Sequence, residues 1–146
     1  MFFNLFTQNT RNNKIGYEDV LYSIENNTKF ILINTLDGNL QNCLIKNTLS
    51  IENETAAVNQ IIDNSKFKEV TVIIYGLNST DISVEKKYKQ LIDLGFYNVY
   101  IYCGGMFEWL LLQDIYGKDN FPTTSYDLDI LKYKPRSTLN IPLLNL

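Results

Sequence analysis

Two cysteines, Cys43 and Cys103, carry the thiols of this chain of 146 residues, and thiols are the first groups to consider for nucleophilic chemistry. A thiol reacts as the thiolate, which forms readily where a cation or a helix N-terminus lowers its pKa. The sequence has no histidine, and neither cysteine has a lysine or an arginine directly beside it. The CxxC spacing of zinc and dithiol redox sites is also missing. We therefore expect two free, unreactive thiols in a reducing compartment, with no metal and no cofactor.

A polar loop follows the apolar run TVIIY, at a point where α/β enzymes commonly place a catalytic side chain. The loop consists of Gly76, Leu77, Asn78, Ser79, Thr80 and Asp81. Its first position is a glycine, so no side chain is available there as a nucleophile. The loop leads into a predicted helix, whose N–H dipoles would favour an anion by about 0.3–1 kcal/mol per contact. The carboxylate of Asp81 can accept hydrogen bonds from the same N–H groups and repel an anion, so we predict a loop that caps itself.

The composition fits one domain with a sizeable core, because 45% of the residues are hydrophobic. A net charge of -3 gives no electrostatic footprint for nucleic acid or for an anionic membrane surface. No apolar stretch is long enough for a membrane span, and the start MFFNLF lacks the basic region of a signal peptide. We expect a cytoplasmic protein, or a virion-associated one if the usage of 18 Asn and 2 Ala reflects a large DNA virus; a protist or a low-GC bacterium fits that usage equally.

Apolar runs alternate with amphipathic segments along the chain. Runs rich in β-branched residues predict buried strands at residues 30–34, 70–75 and 97–102, with a shorter strand at 49–51. Apolar residues at helical spacing predict helices at residues 16–25, 54–62, 81–94 and 106–116. For the third helix, Thr80 or Asp81 is expected at the N-cap and Gly95 at the C′ position. The alternation indicates an α/β fold with a central parallel sheet flanked by helices on both faces.

Two aromatic clusters allow a binding interpretation as well as a structural one. Trp109 and its leucine-rich helix could line a hydrophobic pocket, but packing of that helix on the sheet is the favoured interpretation. Three tyrosines of the last strand, Tyr97, Tyr100 and Tyr102, could stack on bases. No basic residues surround them, so we expect them to pack within the sheet.

Four segments between residues 15 and 124 carry a family resemblance. They are FILINT, the stretch IKNTLSI, VIIYG with its loop, and LGFYNVYIYCGGMFEW, in which Gly-Gly stands shortly before a Trp. In this order they resemble the rhodanese-like domain family: its first strand, its HIxGAxxI segment, its active-site strand and loop, and its last strand and helix. The resemblance implies a rhodanese-like three-layer fold over residues 15–124. An N-terminal arm, 1–14, would precede it, and an extended C-terminal tail, 125–146, would follow.

The departures from the family's pattern fall on its active site. In active members the strand delivers a cysteine whose thiolate accepts sulfane sulfur, held among backbone N–H groups and basic side chains. Gly76 stands at that position here, and Asp81 stands where many members have an arginine. The family's Asp-x-Arg pair is represented by Asn34 and Leu36, and Leu44 aligns with its histidine. The resemblance thus implies a vestigial loop without a catalytic residue.

Three functions remain open on these grounds. The first is a catalytically inactive rhodanese-like domain that acts as a protein-interaction or structural module. The second is a sulfurtransferase-like enzyme that uses the non-standard Cys103, which precedes the turn Gly104-Gly105 beside the loop. The third is a small-ligand sensor that uses the vacated active-site pocket.

Both ends of the chain carry more large apolar residues than a solvated terminus needs. They are Phe2, Phe3, Leu5 and Phe6 in the arm, and Pro135, Ile141, Pro142, Leu143, Leu144 and Leu146 in the tail. These residues either complete the core of their own domain, or contact an unidentified protein partner or a second copy of the chain. Neither nucleic acid nor a membrane is expected as a partner.

Overall fold

A central sheet and four helices make up the computed structural model, which describes residues 12–139. The strands are β1 (Lys14–Ile15), β2 (Phe30–Asn34), β3 (Thr48–Leu49), β4 (Thr71–Tyr75) and β5 (Asn98–Tyr102). The helices are α1 (Tyr17–Glu25), α2 (Ile51–Asp63), α3 (Ser83–Asp93) and α4 (Gly105–Tyr116), with short 3₁₀ helices at Gly38–Leu40 and Ile130–Tyr133. The strands lie in the order β1-β5-β4-β2-β3, and every neighbouring pair is parallel.

Helices cover the sheet on both faces, as the sequence predicts. On one of them, the α1/α4 face, the helices pack through buried side chains such as Val20 and Trp109. On the opposite face, α2 and α3 pack through side chains such as Leu91. In β4, Ile73 and Ile74 point to opposite faces, and both are fully buried. A strand that is covered on both faces needs a continuous apolar run, which is why β4 could be found from the sequence.

The three long strands and the four helices begin and end within three residues of their predicted positions. The short strand predicted at 49–51 lies at Thr48–Leu49. The sequence did not predict β1, because two residues are too few to show a periodicity. The tail, expected to be extended, contains the 3₁₀ helix Ile130–Tyr133 and buries Tyr133 in the core of the α1/α4 face.

The two ends of α3 differ in how well the sequence predicted them. The predicted C′ glycine is confirmed: Gly95 has a φ of +107° and donates to the carbonyl of Ile92, while Phe96 donates to that of Leu91. The predicted N-cap is shifted by one position, because the residue directly before the helix is Ile82, which has helical backbone angles and makes no side-chain cap. Asp81 lies one residue earlier and still accepts the N–H of Ser83 at 3.0 Å.

The aromatic residues singled out in the sequence differ in their burial. Trp109 is fully buried, its indole N–H donates to the carbonyl of Pro122 at 3.2 Å, and its ring packs edge-on against Phe121. This confirms the favoured interpretation of Trp109 as a core residue. The expectation for Tyr97 is wrong, because it lies just before β5 and is 60% exposed.

The apolar residues singled out at 2–6 and 141–146 lie outside the described residues. Within residues 12–139, every helix is too short or too polar to cross a membrane.

Replacement of Gly95 by alanine tests the cap of α3. A residue with a Cβ atom in this region of backbone space costs about 1–3 kcal/mol. We expect Gly95→Ala to lower the free energy of unfolding by about that amount in urea denaturation. Gly38→Ala is the matched control, because a Cβ there meets no atom within 4 Å, and its effect should stay within about 0.5 kcal/mol. Equal effects of the two substitutions would contradict this account of the cap.

Candidate functional site

The candidate site lies at the carboxyl ends of β4 and β5. The helices that follow these neighbouring strands, α3 and α4, pack on opposite faces of the sheet. Open α/β sheets form their binding crevice between two strands of this kind. A cleft of about 150 Å³ opens there, bordered by the second half of the loop and by the end of β5. Its polar lining comes from Asn78, Ser79, Thr80, Asp81, Cys103, Lys14 and Glu85. The structure thus brings Cys103 to the loop, as the sequence predicts.

The start of α4 packs directly against the backbone of the loop. The N–H of Met106 donates to the carbonyl of Gly76 at 2.9 Å, and the N–H of Phe107 donates to that of Leu77 at 2.8 Å. Gly105 makes this approach possible: its φ is +64°, and a Cβ there would lie 2.7 Å from the carbonyl oxygen of Gly76. These first-turn N–H groups of α4, which have no partner within the helix, therefore bind the loop and not a ligand.

The carboxylate of Asp81 fills the inside of the loop. Its Oδ2 accepts the N–H of Leu77 at 2.9 Å, and its Oδ1 accepts the N–H of Ser83 at 3.0 Å and the hydroxyl of Ser83 at 2.6 Å. The hydroxyl of Thr35, in the turn after β2, lies 2.8 Å from the same oxygen of Ser83 and forms a hydrogen bond with it. A charged acceptor inside the protein thus engages N–H groups of the kind that an anionic substrate would need.

Position 76 has no room for a side chain in this arrangement. A Cβ built on Gly76 would collide with Oδ2 of Asp81 and lie 2.7 Å from Cγ2 of Val84. Val84 is buried in α3, and Asp81 is held by the hydrogen bonds just described. The carboxylate therefore occupies the space into which a side chain at position 76 would extend.

Asn78 ties the loop to the tail. Its side chain is buried, its Nδ2 donates to the carbonyl of Tyr133 at 2.8 Å, and its Oδ1 accepts the N–H and the hydroxyl of Thr80. Tyr133 is itself fully buried, and its hydroxyl donates to Asp127 at 2.9 Å. Ser79 and Thr80, at the tip of the loop, are exposed to solvent. No local pattern predicted this contact, because the tail has no periodicity.

Cys103 is half-buried and borders the cleft. A lysine that is distant in sequence, Lys14, lies near it. Lys14 of β1 lines the same cleft and forms an ion pair with Glu85. The hydrogen bond to Glu85 raises the pKa of Lys14, so the ammonium is charged at neutral pH but already paired. The sequence did not indicate Lys14 as a neighbour of Cys103, because only the β1–β5 pairing brings the two residues together.

Cys43 lies away from this cleft and has the surroundings of an inert thiol. It is buried, and its thiol donates to the carbonyl of Ser125 at 3.4 Å. Burial raises its pKa, which disfavours the thiolate. Both cysteines of the chain are free.

Solved structures from yeast and from Bacillus halodurans share this architecture. A yeast protein tyrosine phosphatase of the rhodanese family superposes with a TM-score of 0.57 at 14% sequence identity, covering 83% of this chain and 99% of its own. The chain has a rhodanese-like fold. A Bacillus halodurans protein gives a TM-score of 0.56 at 16% identity, covering 91% of this chain and 96% of its own. The sequence matches no protein-family model and no curated protein, and identities this low concern the fold alone.

The other three positions implied by the resemblance serve the rhodanese-like fold itself. Asn34, at the end of β2, is buried; its Oδ1 accepts the N–H of Leu36 at 3.0 Å and the amide of Gln41 at 2.7 Å. Its Nδ2 donates to the carbonyl of Leu49 in β3. Leu36 and Leu44 are buried apolar residues of the core. Among these residues, none presents a charged group to the cleft.

A double-mutant cycle tests whether Asp81 excludes a side chain at position 76. Gly76→Ala should lower the free energy of unfolding by about 1–3 kcal/mol, the usual cost of overpacking. Asp81→Ala also destabilises, because it leaves the N–H of Leu77 without its acceptor. The double variant should lose less unfolding free energy than the sum of the two single losses. The reason is that removal of the carboxylate makes room for the methyl group. Additive effects in urea denaturation would show that the two sites do not compete for space.

Proposed function

We propose that this chain is a rhodanese-like domain without sulfur-transfer or phosphoryl-transfer chemistry, and that it serves as a protein-interaction or structural module. One observation carries the proposal: the Asp81 carboxylate lies where a side chain at position 76 would extend, and it accepts the N–H of Leu77. The Asp81 carboxylate would exclude a nucleophilic side chain at position 76, and it would also exclude an anion bound in the loop.

The chemistry of the family resemblance explains why this matters. Sulfur transfer through a persulfide needs a thiolate at the start of the loop, and Gly76 cannot supply a sulfur atom. Phosphate transfer through a cysteine needs the same kind of thiolate among anion-binding N–H groups. Two observations therefore support the loss of both reactions: a glycine stands at the nucleophile position, and the Asp81 carboxylate lies inside the loop.

The charges around the cleft also disfavour an anionic substrate. Asp81 and Glu85 bring two carboxylates to its lining, and among the residues that the structure describes, Lys14 is the one cation there. Because Lys14 is paired with Glu85, the balance facing the cleft is negative. Thiosulfate or a phosphate ester would meet repulsion on entry.

The two alternative functions depend on the same cleft. A sulfurtransferase-like reaction at Cys103 is favoured by one observation, the presence of Lys14 in the cleft beside it. A small-ligand sensor has less support, because about 150 Å³ is small beside the roughly 300–1,000 Å³ of typical ligand pockets. The assays below distinguish both alternatives from an inactive module.

The C-terminal part of the chain offers the apolar surface that an interaction module needs. Leu128 is 86% exposed, Leu131 is 64% exposed, and Leu139 is 71% exposed. Four further large apolar residues follow in the sequence between 141 and 146. Apolar side chains repeated in this way along an exposed segment are typical of a protein contact, with either another protein or a second copy of the chain.

The full chain should show no measurable thiosulfate:cyanide sulfurtransferase or aryl phosphatase activity. Gly76→Cys alone should add little, because Asp81 still fills the loop. The double variant Gly76→Cys, Asp81→Arg should form thiocyanate faster than either single variant, since it removes the collision and supplies a cation. Robust turnover by the wild type that Cys103→Ser abolishes would establish the alternative enzyme and overturn the proposal.

Removal of the C-terminal apolar residues tests the interaction module. Pull-downs with the full chain should retain partners that are lost when residues 140–146 are removed and Leu128 and Leu131 are changed to serine. The control is the full chain with Leu94 and Ile115, two exposed apolar residues of other segments, changed to serine. Light scattering would detect self-association as a second copy. Identical partners and mass for all these chains would argue against a contact through the C-terminal end.

A further inference from the structure

The α1/α4 face of the sheet carries an open groove at the amino ends of its strands. The groove encloses about 340 Å³ and is lined by Ile15, Asp19, Phe30, Thr71, Ile73 and Tyr100. Phe30 and Thr71 are the first residues of β2 and β4, which places the groove far from the loop and its cleft. It belongs neither to the candidate site nor to the C-terminal apolar surface.

The two faces of the sheet differ in how completely β4 and β5 are covered at this level. On the opposite face, Val72 and Val99 are buried under α2 and α3, while Ile31 of β2 is half-buried. On the α1/α4 face, their neighbours Thr71 and Phe30 and the edge residue Ile15 remain half-buried. Parallel sheets are normally covered on both faces. Among the described residues, nothing completes the cover at this end of the α1/α4 face.

We propose that the N-terminal arm of the same chain, residues 2–6, covers this groove. The arm contains Phe2, Phe3, Leu5 and Phe6, four large apolar side chains in five residues. Phe2, Leu5 and Phe6 have the i, i+3, i+4 spacing at which three side chains can face one surface. Residues 1–11 contain no acidic residue that Asp19, at the rim of the groove, would repel.

The place where the arm joins the described chain puts it within reach of the groove. The β1–β5 pairing fixes Lys14 opposite Ile101, and Ile15, the next residue, lines the groove itself. Three strand spacings, about 14 Å, separate β1 from β2 across the groove. The stretch from residue 6 to residue 12 can span about 20 Å when extended. Phe6 can therefore reach Phe30 on the far side.

A cis occupant is favoured over a second copy because the arm is tethered beside the groove. A short tether gives an effective concentration in the millimolar range, which a separate chain does not reach in dilute solution. The inference does not rest on the proposed loss of catalysis. It makes the N-terminal arm a part of the domain and leaves the C-terminal apolar residues as the contact surface.

Paramagnetic relaxation in the full chain tests where the arm lies. A nitroxide attached at Asp19→Cys, in a Cys103→Ser background, marks the rim of the groove; the buried Cys43 stays in place. The matched control carries the label at Lys89→Cys, an exposed position on α3, which packs on the opposite face. We expect the amide signals of residues 2–6 to lose most of their intensity with the label at 19 and to keep most of it with the label at 89.

A mixture of spin-labelled protein without ¹⁵N and ¹⁵N-labelled protein without the nitroxide identifies the occupant. Unchanged arm signals in this mixture support docking in cis, whereas broadening in the mixture would show a second copy and overturn the proposal. Absence of broadening by the label at 19 within one molecule would also overturn it. As a readout without a label, Phe6→Ser should lower Tm by about 5 °C while Gln8→Ser leaves it unchanged; equal Tm values for the two variants would contradict docking.

Discussion

The close backbone contact between the loop after β4 and the first turn of α4 sets the rest of the site. Gly105 lets the two main chains approach, and two hydrogen bonds at 2.9 and 2.8 Å fix the carbonyls of Gly76 and Leu77 on α4. With these carbonyls turned toward α4, the N–H of Leu77 points into the loop and needs an acceptor. A buried N–H without a partner would cost about 1–3 kcal/mol, so the fold requires an acceptor in the loop whether or not a ligand is bound.

Asp81 supplies that acceptor from within the chain, and this choice has consequences beyond local stability. The carboxylate is tied to Ser83, whose hydroxyl reaches Thr35 after β2, so that the loop, α3 and β2 share one hydrogen-bond network. Substrate binding in the loop would have to displace a charged group from these hydrogen bonds. The same residue that stabilises the loop therefore also places a negative charge in the space beside Gly76.

The sequence predicted those features of the fold and site that are encoded locally. Buried parallel strands need continuous apolar runs, and a C′ glycine marks its helix end, so β2, β4, β5 and Gly95 could be found directly. Asp81 could be recognised as a carboxylate at the end of the loop. Contacts between distant segments left no local signal: β1 has two residues, Lys14 reaches Cys103 only through the β1–β5 pairing, and Asn78 meets Tyr133 through a tail without periodicity.

The loop at the candidate site also holds the C-terminal tail. Asn78 uses its amide to hold the carbonyl of Tyr133, and Tyr133 is bound in turn by Asp127. Burial acts to raise the pKa of Asp127, but hydrogen bonds from Lys132, the N–H of Asp129 and Tyr133 outweigh it and leave the pKa lowered. The carboxylate thus stays charged at neutral pH and holds together the part of the tail that contains Tyr133. The loop at the candidate site therefore anchors the segment from which the exposed leucines project, and it links the candidate site and these leucines in one structural unit.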